Sequence, residues 1–331
     1  MLETTKNLKQ LNKEIRLSVV MPTHNSAEYI CSTMNAIEKQ SFIDFELLIV
    51  DDDSNDNTLE IVKKYSENDN RISIYKSDGS GVSHARNIGI NNAKGKYLIF
   101  IDSDDTIDQN FFQYMIEPFE KNSNDFDIIC CKYDNDIDAK SQEIATHDFF
   151  LMDKLSVISE ILMPNKNIAS FVWNKAYKRS IIIKNNVRFN DKVFACEDTL
   201  FNYQYLKHCT KDAYVISSCL YHYRINDNGT MYNRYFNRKK ISGNIAHDII
   251  LNDSMLNKEI HKQAIIGTML YNLILLHQYR KNGQEDKQLL YNILNHLFLD
   301  NSAFLKANIS TKYKIAFCGY SFLYKHQKYG K

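Results

Sequence analysis

The chain has 331 residues, of which 44% are hydrophobic and 24% charged, and its net charge is +1. These proportions exclude a disordered or fibrous protein and are ordinary for a soluble globular one. The length predicts one core domain with an appendage, and the balanced charge argues against a nucleic acid as partner.

The cysteines and the amino-terminal segment indicate the compartment. The seven cysteines form no C-x-x-C pair, which argues against both a zinc site and a disulfide framework. Residues 1–16 are polar and of mixed charge, unlike a signal peptide, and no stretch is long enough for a membrane span. We therefore expect a cytoplasmic protein, with peripheral attachment to the inner face of the plasma membrane left open.

Strands and helices alternate in the first part of the chain. Short apolar runs predict strands at 17–21, 45–50, 71–75, 97–101 and 126–131. Helical segments separate them, at about 26–40 with Ser26 as its cap, 56–66 with Asp56 as its cap, 82–93 and 108–121. Single helices between strands imply right-handed β-α-β crossovers and a mainly parallel sheet. A further helix is predicted at 152–162, and the chain beyond 239 has a helical pattern.

Polar residues follow three of these strands directly, at 22–25, 51–54 and 102–105. Ligands of parallel sheets bind at the carboxyl ends of the strands, so these segments are the first candidates for a site. Asp102 and Asp104 stand two apart in a turn and can converge on one divalent cation, although an acidic turn can also merely cap the next helix. A carboxylate among residues 51–53 can accept hydrogen bonds from a base or a ribose, or serve only as a helix cap.

A glycine-containing segment, Gly79-Ser80-Gly81, precedes the helix that carries Arg86. It lacks the third glycine of a dinucleotide-binding loop, and no strand immediately precedes it. Arginine is suited to bidentate phosphate contact, but a lone arginine on a helix is more often solvated.

Four segments together resemble bacterial family 2 glycosyltransferases. They are VVMPTHN at 19–25, VDDDSNDNT at 50–58, GVSHARNIG at 81–89 and FIDSDD at 100–105. The resemblance covers about residues 16–131 firmly and extends more loosely to 232. It departs at His24, often tyrosine in the family, and at Asp53, usually glycine. It implies a GT-A (Rossmann-like) α/β fold, with a mainly parallel sheet sandwiched by helices.

The resemblance also implies roles for residues of the first half. Nucleotide-binding residues would be Pro22, Thr23, Asn25, Glu28, Asp52, Arg86 and Asp102. Within this set Asp52 would contact the base, usually uracil, and Asp102 would lie by the ribose and the metal. Asp104 would ligate Mn²⁺ or Mg²⁺ and so help to bind a UDP-sugar donor.

The acidic pair Glu197-Asp198 opens an apolar helix in the second half. The helix dipole alone explains acids at that position. The resemblance instead implies a catalytic pair in which Asp198 is the general base. One displacement assisted by one base inverts the configuration of the transferred sugar.

Two further segments resemble the family less specifically. The segment WNKAYKR at 173–179 contains Trp173 and Lys175, and YHYR at 221–224 contains His222 and Arg224. Trp173 either stacks on a sugar or belongs to the core. Lys175 and Arg224 are candidate diphosphate or acceptor contacts, and His222 is either a metal ligand or structural. The following residues 228–230 match a mobile loop over the diphosphate.

The carboxyl-terminal residues 303–331 contain six lysines and no acids, interleaved with aromatic residues. Such a segment is typical of membrane-surface binding, or of a helix packed on the body or on a second subunit of a homodimer. We expect an extension at 1–15, a catalytic domain at 16–235 and a helical region at 236–331. The catalytic domain divides into a nucleotide-binding half at 16–131 and an acceptor half at 132–235.

The predicted function is sugar transfer to a cell-surface glycan or a lipid-linked oligosaccharide. One alternative is a nucleotidyltransferase on a related fold, although the basic glycine-rich loop usual after its first strand is here Thr23-His24-Asn25-Ser26. Another is a non-catalytic partner of a glycosyltransferase, which predicts loss of the acids that bind metal or act as base. A dehydrogenase is disfavoured because the glycine fingerprint is incomplete.

Overall fold

A computed structural model describes residues 15–121, 125–135, 148–163, 168–225 and 236–329, with side chains described as far as 324. The chain forms two compact units that are interleaved along the sequence. The first comprises Met1–Val157, Phe171–Asp191 and Gln204–Ile225. The second comprises Ile158–Ser170, Lys192–Tyr203 and Asn226–Lys331. The domain boundary expected at 235 stays a prediction.

One mixed sheet organises the first unit. The strands in its described part are β1 (Leu17–Thr23), β2 (Phe45–Asp51), β3 (Ile72–Lys76), β4 (Tyr97–Phe100), β5 (Thr106–Ile107), β6 (Phe126–Asp134), β7 (Phe149–Met152), β8 (Lys175–Lys178) and β9 (Asp212–His222). Their order is β3-β2-β1-β4-β8-β6-β9-β5, and β7 pairs with β9. The parallel order β3-β2-β1-β4 confirms the predicted β-α-β half.

The other half of the sheet contains an element that the apolar runs did not predict. β8 lies between β4 and β6 and is antiparallel to both. It is only four residues long and begins and ends with lysine, so it has no apolar run of its own. β6 and β9 restore a parallel pair beyond it.

Helices connect the strands and make up most of the second unit. In chain order they are α1 (Ile30–Glu38), α2 (Thr58–Asn68), α3 (Val82–Asn92), α4 (Phe111–Lys121), α5 (Lys154–Leu162), α6 (Arg179–Lys184), α7 (Glu197–Lys207), α8 (Gly243–Ser254), α9 (Lys258–Lys281), α10 (Lys287–Leu297), α11 (Asn301–Lys306) and α12 (Thr311–Tyr329). A 3₁₀ turn, Arg238–Ser242, precedes α8.

Four helices start later than predicted, namely α1, α2, α4 and α5, and the first two show how their predicted caps act. Ser26 caps with its backbone, because its carbonyl accepts the N–H groups of Tyr29 and Ile30, and α1 begins at Ile30. Asp56 accepts the backbone N–H of Thr58 at 3.0 Å, which places its carboxylate at the start of α2. Both residues thus satisfy amide groups that a helix start leaves without a partner.

Pro22 lies inside the buried strand β1, where a residue without an N–H would normally break a ladder. β4 pairs only with Leu17 to Val20, so it ends before Pro22, which faces Val50 of β2 alone. The proline therefore lies in the last part of β1, beyond the residues that pair with β4 but still paired with β2.

Each unit has its own apolar core. In the first unit the core lies on the sheet and includes Met34 of α1, Phe112 of α4 and Trp173. In the second, α9 is central, and Gly267 approaches the carbonyl of Leu162 so closely that a Cβ would lie 2.3 Å from it. α12 packs on this core through Phe317, so the described part of the carboxyl-terminal segment packs on the second unit.

Candidate functional site

The carboxyl ends of β1 and β2 are tied together by hydrogen bonds. The N–H of Asp52 donates to the carbonyl of Thr23 at 2.8 Å, and the Thr23 hydroxyl donates to Asp51 at 3.3 Å. Asn25, at φ +49°, accepts the N–H of Asn55 at 2.8 Å. The predicted nucleotide residues Pro22, Thr23, Asn25 and Asp52 are therefore gathered at one sheet edge. Glu28 follows on an exposed turn before α1.

Asp52 has one anchored and one unanchored carboxylate oxygen. Its Oδ2 accepts the N–H of Gly81 at 2.8 Å, and the ring Nδ1 of His24 lies 2.6 Å from its carbonyl oxygen. Asp52 is only 6% exposed, and within the described residues its buried Oδ1 has no hydrogen-bond partner. A buried acceptor of this kind is costly unless a ligand supplies a donor.

Gly81 has a backbone conformation that explains its place in this contact. Its φ of +100° is unfavourable for residues with a Cβ, and it lies immediately before α3. The N–H that it aims at Asp52 thus comes from the start of the helix that carries Arg86. The glycine segment therefore positions the carboxylate of Asp52 through this hydrogen bond and does not have the arrangement of a dinucleotide-binding loop.

Arg86 is buried and paired, not a solvated helix residue. It is 3% exposed, its Nη2 lies 2.9 Å from Asp102 Oδ1, and its guanidinium lies over the ring of Phe189 at 5.3 Å. The pair connects α3 with the turn after β4. The structure therefore brings Arg86 and Asp102 into direct contact, and their roles towards a nucleotide stay predictions.

The acidic turn after β4 is held from beneath by a residue that the sequence did not single out. The hydroxyl of Tyr221 donates to Asp105 Oδ2 at 2.7 Å, and its oxygen accepts the N–H of Asp102 at 3.2 Å. Asp105 is fully buried and also accepts the N–H of Arg224 at 2.8 Å. Burial raises the pKa of Asp105 well above its usual range, and the charges of Asp102 and Asp104 add to the rise.

Arg224 contacts the same turn directly. Its Nε donates to the carbonyl of Asp104 at 2.8 Å, and its guanidinium lies over the ring of Tyr29 at 5.0 Å. Arg224 is thus held at the acidic turn, and its role as a phosphate contact stays a prediction. The neighbouring segment 228–230, predicted as a loop over the diphosphate, lies outside the described residues.

The carboxylates of Asp102 and Asp104 suit a cation that keeps part of its ligand shell for substrate and water. Both residues are half-buried, so each combines a fixed backbone with partial access to solvent. No group of three or more His, Cys, Asp or Glu side chains suited to a metal occurs in the part of the chain that the structure describes. Mg²⁺ commonly binds through one or two carboxylates plus substrate phosphates, so the two acids fit that mode.

His222, the third predicted metal ligand, lies in a different contact. Its Nδ1 is 2.8 Å from Asp134 Oδ1, and the residue is 5% exposed. It pairs with Thr106 across β5 and β9, next to the acidic turn. This geometry supports the structural interpretation of the histidine.

Trp173 and Lys175 lie in the core rather than on an accessible surface. Trp173 is 2% exposed and stacks on Tyr221 at 4.3 Å and on Phe171 at 4.6 Å. Lys175 is fully buried, and its Nζ donates to the carbonyl of Phe171 at 2.6 Å and to Asn174 Oδ1 at 2.8 Å. Neither side chain has exposed surface with which to contact a sugar or a diphosphate. The expected substrate contact is therefore wrong for both residues, which instead support the core around the acidic turn.

The predicted catalytic pair belongs to the second unit. Glu197 and Asp198 form the first turn of α7, and both are half-buried. The residue before them, Cys196, has a φ of +62°. A positive φ at a residue with a Cβ is uncommon, so something must hold Cys196 in place.

A buried histidine lies behind Cys196. His247 Nε2 is 3.8 Å from Cys196 Sγ, and its Nδ1 is 3.1 Å from Thr268 Oγ1. Thr268 donates its only hydroxyl proton to the carbonyl of Ala264, so Nδ1 must carry the proton and Nε2 accepts from the thiol. Burial lowers the pKa of His247 to about 3 and raises the pKa of the Cys196 thiol to about 12, so both groups are neutral.

Neither the role of Tyr221 nor the contact between Cys196 and His247 was predictable from the sequence. Tyr221 lies within an apolar strand, where only the adjacent tyrosine–histidine motif gave a signal. Cys196 and His247 are far apart in the chain, so no spacing rule could pair them.

Among the helices that the structure describes, none combines the length and the hydropathy that a membrane span requires.

Comparison with known proteins adds the family. The family model described as "Glycosyl transferase family 2" matches residues 18–185. The chain is 29% identical over 216 residues to the poly(ribitol-phosphate) beta-N-acetylglucosaminyltransferase TarP of Staphylococcus aureus, covering 64% of this chain and 63% of TarP. It is 27% identical over 213 residues to the putative glycosyltransferase EpsH of Bacillus subtilis, covering 63% and 60%. The chain thus spans about three fifths of the length of these curated relatives.

Solved structures share the fold. S. aureus TarS 1-349 in complex with UDP-GlcNAc aligns with a TM-score of 0.62 at 23% identity, covering 87% of this chain and 81% of that one. The mannosyltransferase PcManGT from Pyrobaculum calidifontis aligns with a TM-score of 0.50 at 14% identity, covering 99% and 88%. The GT-A type of α/β fold predicted from the sequence is confirmed. Since the family model matches half of its residues, the chain belongs to glycosyl transferase family 2.

Proposed function

We propose that this chain is an inverting glycosyltransferase that moves a sugar from a UDP-sugar to a hydroxyl group of a cell-surface glycan. The observation that carries the proposal is the geometry of Asp52. One carboxylate oxygen is fixed by Gly81, and the other is buried without a partner among the described residues. The ring N–H of uracil is a donor of the kind that this oxygen needs.

The names of relatives support a UDP-sugar as donor. TarP and TarS are named beta-N-acetylglucosaminyltransferases, and a TarS structure is described as a complex with UDP-GlcNAc. We therefore take UDP-GlcNAc as the first donor to test. In this assignment Thr23, Asn25 and Glu28 surround the nucleoside, and Arg86 holds Asp102 in position for the ribose.

Asp104 and Asp102 are the residues that would hold a divalent cation. Bound there with the donor, Mn²⁺ or Mg²⁺ would neutralise the charge of the departing diphosphate. The PcManGT structure, described as a complex with GDP-Man and Mn²⁺, supports this choice of cation. Arg224 fixes the backbone of Asp104 and brings a second positive charge to the same place.

Asp198 is our proposed general base. Its carboxylate takes the proton of the acceptor hydroxyl as the acceptor oxygen bonds to the anomeric carbon. The bond from that carbon to the diphosphate breaks, and its electron pair leaves with UDP. One displacement inverts the anomeric centre, which agrees with the "beta" in the names of TarP and TarS. Glu197 lies beside Asp198 in the first turn of α7 and belongs to the same proposed catalytic pair.

The acceptor class is a cell-surface glycan or a lipid-linked oligosaccharide, reached from the cytoplasmic side. The relatives differ in their named acceptors. TarP and TarS carry poly(ribitol-phosphate) in their names, and a relative of 26% identity over 218 residues in Borreliella burgdorferi is named cholesterol galactosyltransferase. The acceptor must therefore be found by assay.

The first experiment is thermal unfolding with UDP, GDP, ADP and CDP, each with and without Mn²⁺. A ligand that binds the native state raises the unfolding midpoint, so we expect a rise with UDP that depends on Mn²⁺. A rise with GDP, ADP or CDP instead would contradict uracil recognition by Asp52. Absence of any rise would overturn the catalytic assignment and favour a non-catalytic partner protein. Pyrophosphate release from a nucleoside triphosphate would favour the nucleotidyltransferase alternative.

A further inference from the structure

The carboxyl-terminal helix α12 has a buried face that docks it on the second unit. Phe317 is 2% exposed, and its ring lies 4.7 Å from that of Phe304. On the same side, the Tyr324 hydroxyl accepts from Arg280 Nη2 at 2.7 Å. These contacts fix the orientation of α12 on the second unit. They therefore also determine which face of the helix points away from that unit.

The opposite side, the outer face of α12, is apolar and exposed to solvent. Ile315 is 67% exposed, Phe322 is 65% exposed and Leu323 is 47% exposed. Residues seven and eight positions apart lie on one side of an α-helix. Cys318 and Gly319, both exposed, lie between them on the same face. Single exposed apolar residues are ordinary, but an aligned set indicates a contact surface.

Positive charge flanks this apolar face. At about 100° per residue, Lys312 and Lys314 lie on the two sides of Ile315. Residues 303–331 contain six lysines and no acids, whereas the remainder of the chain has 35 basic and 40 acidic side chains. The segment that carries the exposed apolar face therefore has a net charge of +6, whereas the remainder of the chain, with 35 basic and 40 acidic side chains, has a net charge of −5.

We propose that the outer face of α12 binds an anionic lipid bilayer, lying in the plane of the interface. The apolar side chains would enter the boundary between headgroups and acyl chains, and the lysines would reach the lipid phosphates. A second copy of the chain fits less well, because pairing two such faces would bring lysine against lysine with no acid in the segment to offset it. The chain would then be attached to a membrane surface without spanning it.

The test is flotation of the full chain with vesicles of phosphatidylcholine alone and with about one third phosphatidylglycerol. We expect at least tenfold stronger binding to the anionic vesicles, weakened by added salt because salt screens the attraction between lysines and lipid phosphates. The variant with Ile315→Gln and Phe322→Gln should bind at least tenfold more weakly than the wild type. Lys312→Glu combined with Lys314→Glu should abolish the preference for anionic vesicles.

Ile43→Gln is the matched control, since Ile43 is 71% exposed on the first unit. It should bind vesicles as the wild type does, and all variants should unfold near the wild-type temperature because the changed side chains are exposed or, for Lys314, half-buried. Equal binding to both vesicle types, or wild-type binding by the Ile315/Phe322 variant, would overturn the proposal. A dimer in sedimentation velocity that the same double variant dissociates would overturn it in favour of a second copy. Vesicle binding needs no UDP, so this test is independent of the donor assignment.

Discussion

The buried hydroxyl of Tyr221 donates a hydrogen bond to the buried carboxyl group of Asp105 at 2.7 Å. Tyr221→Phe removes this bond and the acceptor for the N–H of Asp102, while the ring stack is kept. We expect a loss of about 1–3 kcal/mol in the free energy of unfolding, because a buried polar group loses its partner. Metal-dependent UDP binding should weaken as well, since the acidic turn loses its support.

Urea unfolding and calorimetric titration with UDP and Mn²⁺ check this expectation. Tyr214→Phe is the matched control, because Tyr214 lies in the same strand but is only half-buried. It should change stability by less than about 0.5 kcal/mol. Equal stability of wild type and Tyr221→Phe would show that the hydroxyl does not hold the turn.

Asp52→Asn tests base recognition with little change of shape. The amide oxygen can still accept the N–H of Gly81, but an NH₂ group then replaces the buried oxygen that lacks a partner in the described structure. Two donors would face each other, so we expect UDP affinity to fall at least tenfold with the fold retained. Asp53→Asn changes the exposed neighbouring residue and should leave the affinity unchanged. Equal effects of the two variants, measured by titration, would argue against the assignment.

Asp198→Asn removes the proposed base and keeps the helix start. We expect kcat for sugar transfer to fall at least a hundredfold, because a general base contributes about 10²–10⁴ in rate. UDP binding should stay within twofold of the wild type. Glu197→Gln, which changes the adjacent acid in the same helix turn, should have a smaller effect on kcat. Normal turnover by Asp198→Asn would refute the assignment.

His247 should make stability depend on pH. Its folded-state pKa is lowered to about 3 by burial, whereas an unfolded histidine titrates near 6.5. Between these values the unfolded chain binds one more proton, so the contribution of His247 to stability falls as the pH is lowered from about 6.5 towards 3. The slope approaches about 1.4 kcal/mol per pH unit for this one group.

Urea unfolding at pH 7.5, 6.0 and 5.0 measures this slope. His247→Gln should unfold more easily at pH 7.5, because it leaves the packing against Cys196 and Thr268, but should lose less stability on acidification. His208→Gln, at an exposed histidine, should keep the wild-type slope. An unchanged slope in His247→Gln would mean that other groups determine the acid response.

Glycine-to-alanine substitution should have opposite effects in two helices. In α3, a Cβ at Gly89 would lie 2.2 Å from a methyl group of Val20, which is fully buried in β1. We expect Gly89→Ala to destabilise by about 1–3 kcal/mol through overpacking. In α12, a Cβ at Gly319 meets nothing within 4 Å, so Gly319→Ala should stabilise by up to about 1 kcal/mol. Thermal unfolding compares the two, and a stabilised Gly89→Ala would contradict the close packing of α3 on the sheet.

The sequence was most informative where chemistry and strand position coincide. Asp52 and Asp102 directly follow apolar strands, and the structure places both at the carboxyl ends of these strands. Arg86, on the helix α3, contacts Asp102 there, while the roles of all three residues stay predictions. Secondary structure in the parallel half was predictable because short apolar runs alternate with helical segments there. β8 escaped prediction because a four-residue strand flanked by lysines depends on its neighbours for its conformation.

Side chains with two plausible environments were less predictable. Trp173 and Lys175 can in principle contact a sugar or a phosphate, and only the packing around β8 shows that both are buried. The contact between Cys196 and His247 joins residues that no local pattern connects. Whether such side chains are buried or accessible depends on three-dimensional packing, which cannot be inferred from composition or residue spacing.

The stacked rings of Trp173 and Tyr221 connect the acidic turn of the candidate site to the core of the first unit. The hydroxyl of Tyr221 hydrogen-bonds to both Asp102 and Asp105, so core packing fixes the conformation of this turn in the absence of a donor. Donor binding should then require little ordering of this turn, which lowers the entropic cost of association. The same coupling means that a change deep in the core, such as one at Trp173, should alter donor affinity before it alters the global fold.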